Sequence, residues 1–199
     1  MIELALDTLW ADSDNEAGWV KAVTYSPDGL TLAAGYFDRT IKLWAFNHRL
    51  ELWDIICTFP GHANSVNTIA YSRDGRTLAS GSRDNTIKIW DATTGECLHT
   101  LEGHTKQVQI VAYNPDGNTL ASGSNDGTIN IWDLETGNCI RTLQGDRASI
   151  LSLAYSRDGQ MLVSGNNCGT IERWKVATGK YFDSFCDPDS LRAHIRCGH

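Results

Sequence analysis

The chain repeats itself along its length, and this repetition limits its fold more than any other feature. The stretch LASGSRDNTIKIWD, which ends at Asp91, returns 42 residues later as LASGSNDGTINIWD, which ends at Asp133. Weaker copies end at Ala45 and Lys175. The four copies align on Trp44, Trp90, Trp132 and Trp174, which lie 46, 42 and 42 residues apart, because four additional residues follow Trp44. A fixed period of this length indicates an array of similar units, each packed on its neighbours.

Each copy is predicted to contain four short strands. In the second copy, VNTIAY is followed by the turn SRDG, then by a strand around TLASG, by TIKIW and by CLHTL. Asp-Gly in the turn suits a tight hairpin, because glycine accepts the positive φ that such a turn requires. The first two strands are apolar at most positions, which is typical of strands buried on both faces. This pattern predicts an all-β fold of stacked β-propeller blades.

The stretch GHANSVNTIAYSRDGRTLASGSRDNTIKIWDATTGECLHTLEGH resembles a WD40 repeat along its whole length, and the resemblance covers residues 15–185. It implies WD40-type β-propeller blades, four in number and four-stranded. We expect them at residues 15–59, 60–101, 102–143 and 144–185. An N-terminal segment at 1–14, with an extra strand, and a C-terminal tail at 186–199 are expected to flank them.

Four blades are expected to form an open or incomplete ring, because the resemblance implies closure at seven or eight blades. Two explanations stay open. The chain is a fragment of a larger propeller, or two copies pair as a homodimer that completes an eight-blade ring. Burying Arg173 of the fourth copy in such a seam is expected to be costly unless an acidic partner accompanies it.

The inner copies contain Ser, His and Asp, which are the residue types of a hydrolase triad. Because the set recurs with the repeat, architecture is the better interpretation. The WD40 resemblance implies buried structural tetrads that join the histidine of Gly-His to a strand serine, a turn aspartate and the tryptophan. The tetrads are His62, Ser80, Asp84 and Trp90 in blade 2, and His104, Ser122, Asp126 and Trp132 in blade 3.

The outer copies depart from this pattern, as end repeats often do. Blade 1 has Glu16 and Ala34 at the histidine and serine positions, and blade 4 has Asp146 and Cys168 at the histidine and aspartate positions.

The resemblance also implies that partners bind across one face, formed by the loops that enter each blade and by the second turns. The positions expected to be exposed there are Trp19, Phe37, Ser65, Arg83, Gln107, Asn125, Ser149 and Asn167. Trp19 and Phe37 are candidate aromatic anchors, with packing of Trp19 on the blade edge as the alternative. Four cations, Arg39, Arg83, Lys106 and Arg147, and two acids, Glu16 and Asp146, are expected on this face. The excess of cations would suit a partner with acidic segments, and an ordinary solvated surface is the alternative.

Composition narrows the function classes. A net charge of -7 argues against nucleic acid as a partner. No apolar run approaches the ~20 residues that span a bilayer, so no membrane association is expected. The absence of a secretory pattern in MIELALDTLW and of any C-x-x-C favours a cytoplasmic localisation. The tail residues Cys186, His194, Cys197 and His199 match no common zinc spacing, so no metal or other cofactor is expected.

Three functions are compatible with these features. The leading hypothesis is a non-catalytic scaffold that binds a protein or peptide partner. An enzyme would need a unique cluster of titratable groups, and none stands out. A structural half-propeller that works only on self-assembly, or within a larger protein, is the remaining alternative.

Overall fold

The computed structural model describes residues 18–145 and 147–186 of the 199-residue chain, and the described part is an all-β structure. Sixteen strands form four antiparallel sheets of four strands, and strands adjacent in each sheet are consecutive in sequence. The expected extra strand in residues 1–14 lies outside the described residues, as does the tail beyond Cys186. Within the described ranges, no helix is long and apolar enough to cross a membrane.

The four sheets follow one another along the chain as blades 1 to 4. Blade 1 contains β1 Val20–Tyr25, β2 Thr31–Tyr36, β3 Ile41–Asn47 and β4 Leu52–Phe59. Blade 2 contains β5 Val66–Tyr71, β6 Thr77–Ser82, β7 Ile87–Asp91 and β8 Cys97–Leu101. Blade 3 contains β9 Val108–Tyr113, β10 Thr119–Ser124, β11 Thr128–Asp133 and β12 Cys139–Gln144. Blade 4 contains β13 Ile150–Tyr155, β14 Met161–Asn166, β15 Thr170–Lys175 and β16 Lys180–Cys186.

A tight turn joins the first two strands of each blade, and its geometry explains the recurring Asp-Gly pair. In blade 2 the Gly75 amide donates to the Ser72 carbonyl at 3.0 Å, and Gly75 has a φ of 74°. Asp74 accepts a hydrogen bond from the Ser72 hydroxyl at 2.7 Å and one from the Arg76 amide at 3.1 Å. The turn is thus specified by local polar contacts and by one residue that tolerates positive φ.

The apolar core lies between blades rather than within them. One cluster joins blades 1 and 2 through Phe59 and Ile41 on one side and Val66 and Trp90 on the other. Equivalent clusters join blades 2 and 3 and blades 3 and 4. Strands β6 and β10 are buried on both faces because each lies inside a sheet that has a blade on either side.

The ring is open. No sheet closes on another among the described strands, and the outer faces of the first and last blades meet solvent. Val20 on blade 1 is 51% exposed and Phe185 on blade 4 is 54% exposed, whereas their counterparts between blades are buried. The expectation of four WD40-type blades in an incomplete ring is therefore confirmed.

Blade 1 has the longest outer hairpin. The four additional residues after Trp44 extend the β3–β4 pairing as far as Asn47 and Leu52. Phe46 and Trp53 pair across this extension, with ring centroids 5.6 Å apart, and both are about two-fifths exposed (39% and 40%). The insertion therefore presents an aromatic surface at the rim of the array.

Candidate functional site

The structure brings the four tetrad residues of blade 2 together. Nδ1 of His62 lies 2.9 Å from Oδ2 of Asp84, and Nε2 of His62 lies 2.7 Å from the hydroxyl of Ser80. The indole N–H of Trp90 donates to the same Ser80 oxygen at 2.8 Å. The histidine comes from the loop that enters the blade and the other three residues from its inner hairpin and turn, so the contacts fix the loop to the sheet.

One arrangement of protons satisfies the whole chain of contacts. Nδ1–H of His62 donates to the Asp84 carboxylate, which leaves Nε2 as an acceptor for the Ser80 hydroxyl proton. The Ser80 oxygen then accepts the indole N–H of Trp90. A neutral histidine in this tautomer therefore leaves no member of the network without a partner.

The aspartate has more donors than the sequence pattern indicated. Asp84 also accepts from the Ala63 amide at 2.8 Å, from the Thr86 amide at 2.9 Å and from the Thr86 hydroxyl at 2.7 Å. Burial alone raises the pKa of Asp84, but the hydrogen bonds from His62 and Thr86 outweigh it and hold the pKa far below its usual range. Thr86 is thus a fifth member, and its signal in the sequence is the recurring Asp-x-Thr.

Blade 3 contains the same network with nearly the same distances. His104 contacts Asp126 at 3.1 Å and Ser122 at 2.7 Å, and Trp132 donates to Ser122 at 2.8 Å. Burial raises the pKa of Asp126, but hydrogen bonds led by Thr128 lower it to about 2. Burial also lowers the pKa of His104, and the nearby carboxylate opposes this only in part. His104 is therefore neutral near pH 7, as its acceptor role requires.

Blade 4 keeps half of this arrangement and changes the rest. The indole N–H of Trp174 still donates to the Ser164 hydroxyl, at 3.0 Å. Ser164 then contacts the carboxylate of buried Glu172 at 3.5 Å, where the inner blades use a histidine. With Cys168 at the aspartate position, the hydroxyl of Thr170 has no hydrogen-bond partner among the described residues. Asp146 lies outside the described residues.

Blade 1 keeps only the turn part of the network. Asp38 accepts from the Thr40 amide at 3.0 Å and from the Thr40 hydroxyl at 2.6 Å. Ala34 supplies no hydroxyl for Trp44, and Glu16 lies outside the described residues. The two outer blades thus differ from the inner pair in different ways.

The Ser–His–Asp connectivity of blades 2 and 3 is that of a hydrolase triad, but the serine is inaccessible. Ser80 and Ser122 are 0% exposed, and each oxygen accepts the indole N–H of a buried tryptophan. An acyl-transfer nucleophile needs a substrate carbonyl within reach of its oxygen. The arrangement therefore has the hydrogen bonds of a triad without space for a substrate.

The eight positions predicted on the partner-binding face form four pairs. Each pair lies at the end of a blade's first two strands that is opposite their Asp-Gly turn, and this end is called the top of the hairpin. In each pair, an amide before the second turn donates to a carbonyl before the first strand, at 2.9 to 3.1 Å. The pairs are Trp19 with Phe37, Ser65 with Arg83, Gln107 with Asn125, and Ser149 with Asn167. We call these eight residues the hairpin-top surface.

Side-chain exposure varies strongly across the hairpin-top surface. Trp19 is 58% exposed and stacks edge-on with Phe37, with ring centroids 6.2 Å apart. Arg83 and Asn167 are exposed, whereas Gln107, Asn125 and Ser149 are half-buried. The expectation that Ser65 is exposed was wrong, because Ser65 is 0% exposed and its hydroxyl has no partner among the described residues. Trp19, Gln107 and Ser149 make the same backbone pairing, so this pairing does not by itself determine how exposed the side chain is.

Charge differs between the two ends of the blades. Arg39, Arg83, Lys106 and Arg147 are exposed around the hairpin-top surface, and none forms a salt bridge with a described residue. The carboxylates of Asp84 and Asp126 at this end accept hydrogen bonds within the networks. The first turns at the opposite end present exposed aspartates, Asp28, Asp74, Asp116 and Asp158. Hydrogen bonds from the turn serines lower the pKa of Asp28, Asp74 and Asp158. Exposed Arg73, Arg76 and Arg157 lie in the same turns, so this end carries charges of both signs.

No group of three or more potential metal ligands occurs in residues 18–145 and 147–186. Of the four tail residues considered as ligands, Cys186 is described, and His194, Cys197 and His199 lie outside the described residues.

Comparison with known proteins gives one result that bears on identity. A family model described as the IFT122 first beta-propeller matches residues 19–192, which is most of the chain. A search of curated proteins found no match. The match includes all sixteen strands described above and agrees with the WD40-type repeats in the sequence. The chain therefore belongs to the family of the IFT122 first beta-propeller.

Proposed function

We propose that the chain is a non-catalytic interaction scaffold that binds a protein or peptide partner at the hairpin-top surface. Propeller domains of this kind generally bind protein partners. One observation carries the choice of surface: four exposed cations that form no salt bridge with a described residue lie at the same end of the blades as an exposed tryptophan. Tryptophan and arginine are the residue types that most often dominate binding energy at interfaces.

The chemistry of the surface favours an acidic segment with an apolar side chain. Trp19 and Phe37 offer an aromatic platform, and Lys21 lies over the Phe37 ring at 5.8 Å from its centroid. Arg83 and Lys106 add positive charge on the neighbouring blades. A partner of this kind would associate faster at low salt, because the surface charges steer it.

A non-enzymatic role is supported by how the titratable groups are used. The two network histidines, His62 and His104, are 6% and 7% exposed, and their ring nitrogens are engaged by serine and aspartate. No other concentration of such groups stands out in the described ranges. Cytoplasmic localisation and the lack of nucleic-acid and membrane partners stay predictions from the sequence.

The test compares the two ends of the blades with matched double variants. The tagged 199-residue chain is incubated with its partner, and the bound amount is measured against partner concentration. We expect Trp19→Ala with Arg83→Glu to weaken capture at least about tenfold, the scale of a lost hot spot. Asp74→Lys with Asp116→Lys, at the opposite end, is the control and should change capture little. Equal losses, or a larger loss in the control, would move the site away from the hairpin-top surface.

A second candidate function is self-assembly of half-propellers. It is favoured by the apolar outer faces of blades 1 and 4, which resemble the faces that pack together inside the chain.

A further inference from the structure

At each of the three interfaces between blades, here called seams, one apolar side chain (the knob) packs against a glycine of the neighbouring blade (the notch). The first residue of each following blade seats against a glycine of the preceding blade, in the pairs Val66 with Gly35, Val108 with Gly81, and Ile150 with Gly123. A β-carbon on those glycines would lie 2.7, 2.6 and 2.5 Å from the incoming side chain, so only glycine leaves room. The incoming side chains are at most 1% exposed.

The two ends of the array present the same knob and the same notch, both unfilled. Val20 begins blade 1 at the knob position and is 51% exposed. Gly165 occupies the notch position in blade 4, and among the described residues a β-carbon there would meet only Ser152 of its own blade. The leading face of blade 1 comprises Val20, Val23, Leu32 and Trp44. The trailing face of blade 4 comprises Gly165, Ile171, Arg173 and Phe185.

Apolar side chains on these faces are buried wherever the seam is complete. The counterparts of Phe185 in the first three blades are Phe59, Leu101 and Leu143, which are at most 3% exposed, whereas Phe185 is 54% exposed. The counterparts of Ile171 are Ile41, Ile87 and Ile129, at most 1% exposed, whereas Ile171 is 37% exposed. The leading face surrounds a groove of 340 Å³ whose lining includes Tyr25 and Trp53. Contiguous apolar faces of this kind mark interfaces.

We propose that a second copy of this chain covers both faces. The trailing face of each copy packs on the leading face of the other, and the two copies close an eight-blade ring through two equivalent seams related by two-fold symmetry. This inference rests on the self-assembly candidate and names its partner and its contact surfaces. Val20 of one copy fills the notch at Gly165 of the other.

Arg173 is the position that a new seam has to accommodate. It occupies the place that Leu43, Ile89 and Ile131 take in the internal seams, where a lone cation would be costly to bury. The blade supplies its own counter-ion, because Nε of Arg173 donates to Asp183 at 2.6 Å and Nη2 donates to the second carboxylate oxygen. The guanidinium also lies 4.9 Å from the centroid of Phe182. Arg173 and Asp183 would therefore be buried in the seam as an ion pair with no net charge, and they would face aromatic residues of the leading face.

The pairing is tested by the mass of the full 199-residue chain in solution. Light scattering on purified wild type should give twice the monomer mass of 21.9 kDa. Val20→Arg and Phe185→Arg each alter one face, and both residues are about half exposed in a single copy, so neither change disturbs the single chain. Each variant should be monomeric. Leu98→Arg is the matched control, because Leu98 is 44% exposed on β8 and lies on neither face, and this variant should stay dimeric.

Mixing the two variants distinguishes this arrangement from other dimers. A Val20→Arg copy keeps its trailing face and a Phe185→Arg copy keeps its leading face. The mixture therefore regains one wild-type seam and should recover the dimer mass, which neither variant reaches alone. Pairing of two leading faces would instead leave Phe185→Arg dimeric by itself and give no recovery on mixing, and that result would overturn the proposal.

Two other outcomes would also overturn it. If the wild-type chain stays monomeric in light scattering over a series of protein concentrations, the proposed seam does not form. If the measured mass rises above twice the monomer mass, the chains associate without closing a ring. The scaffold proposal is decided separately by partner capture. A monomer that captures its partner at the hairpin-top surface would refute only the pairing, and a dimer that captures none would refute only the scaffold.

Discussion

Blades 3 and 4 are neighbours with the same strand order, yet only blade 3 contains the full hydrogen-bond network. The pairing of β10 with β11 runs from Thr119 opposite Asp133, and that of β14 with β15 runs in the same register from Met161 opposite Lys175. The outer pair of strands shows the same irregularity beside the tryptophan in both blades. Strand register in this array therefore does not depend on the histidine or on the turn aspartate.

Packing and turn chemistry are what the two blades share. Trp132 and Trp174 are at most 3% exposed, and each lies in an apolar cluster against the preceding blade. Because a one-residue slip would turn every buried side chain outward, these clusters fix the register. The network is then an addition that fixes the entering loop to the blade and raises stability.

The largest expected effect comes from removing the centre of the network. Asp126→Ala leaves His104, the Thr105 amide and both donors of Thr128 without their acceptor. We expect a loss of about 1–3 kcal/mol in the free energy of unfolding and a fall of several degrees in the melting temperature. Thermal and urea unfolding followed by circular dichroism would measure it.

The control for this variant is Asp116→Ala, which removes an exposed turn carboxylate that accepts from the Asn118 amide at 2.9 Å. Its effect should be well below that of Asp126→Ala. If both variants have melting temperatures near that of the wild type, the network does not stabilise blade 3. The structural difference between blades 3 and 4 would then make no difference to the free energy of unfolding.

A second prediction uses pH to separate the two blades. Burial lowers the pKa of His104 below its value in the unfolded chain, so the unfolded state binds the proton more readily. Stability from this group is present above about pH 6.5 and is lost as the pH falls below that value. Asp126, with its pKa lowered to about 2 from 3.8, adds a further loss between those two values. The melting temperature should therefore fall in two stages on acidification.

His104→Gln is the informative variant, because it removes the upper stage and leaves blade 3 without a histidine at this position, as blade 4 is. His48→Gln, which removes an exposed histidine from the turn between β3 and β4, should leave both stages in place. An unchanged upper stage in His104→Gln would show that the fall in stability does not arise from His104.

The sequence predicts most of the fold because the repeat encodes it locally. Apolar strands, Asp-Gly turns and one tryptophan per copy suffice to predict the strands and their stacking. The tetrads follow from the WD40 resemblance, and the contacts at Asp84 and Asp126 agree with it. The sequence also contains a signal for Thr86, because Asp-x-Thr recurs in the first three copies.

Other features depend on three-dimensional register and could not be predicted. Ser65 is 0% exposed whereas Trp19, at the same position of blade 1, is 58% exposed, and a list of loop positions does not reveal this difference. The contact of Arg173 with Asp183 follows from their cross-strand pairing beside the irregularity in β15 and β16. Glu172 contacts Ser164 only because both side chains point to the same space inside blade 4.

The smallest expected effect comes from replacing one threonine hydroxyl by a methyl group in blade 3 and one in blade 4. In blade 3, the Thr128 hydroxyl donates to Asp126 at 2.6 Å, so Thr128→Val removes a charge-assisted hydrogen bond and should cost about 1 kcal/mol. In blade 4, the Thr170 hydroxyl is buried without a described partner, so Thr170→Val removes an unsatisfied polar group and should be neutral or slightly stabilising. The two substitutions are chemically identical, so β-propensity and volume largely cancel in the comparison. Urea unfolding of both variants measures the difference, and equal losses would mean that the Thr170 hydroxyl is as well satisfied as that of Thr128.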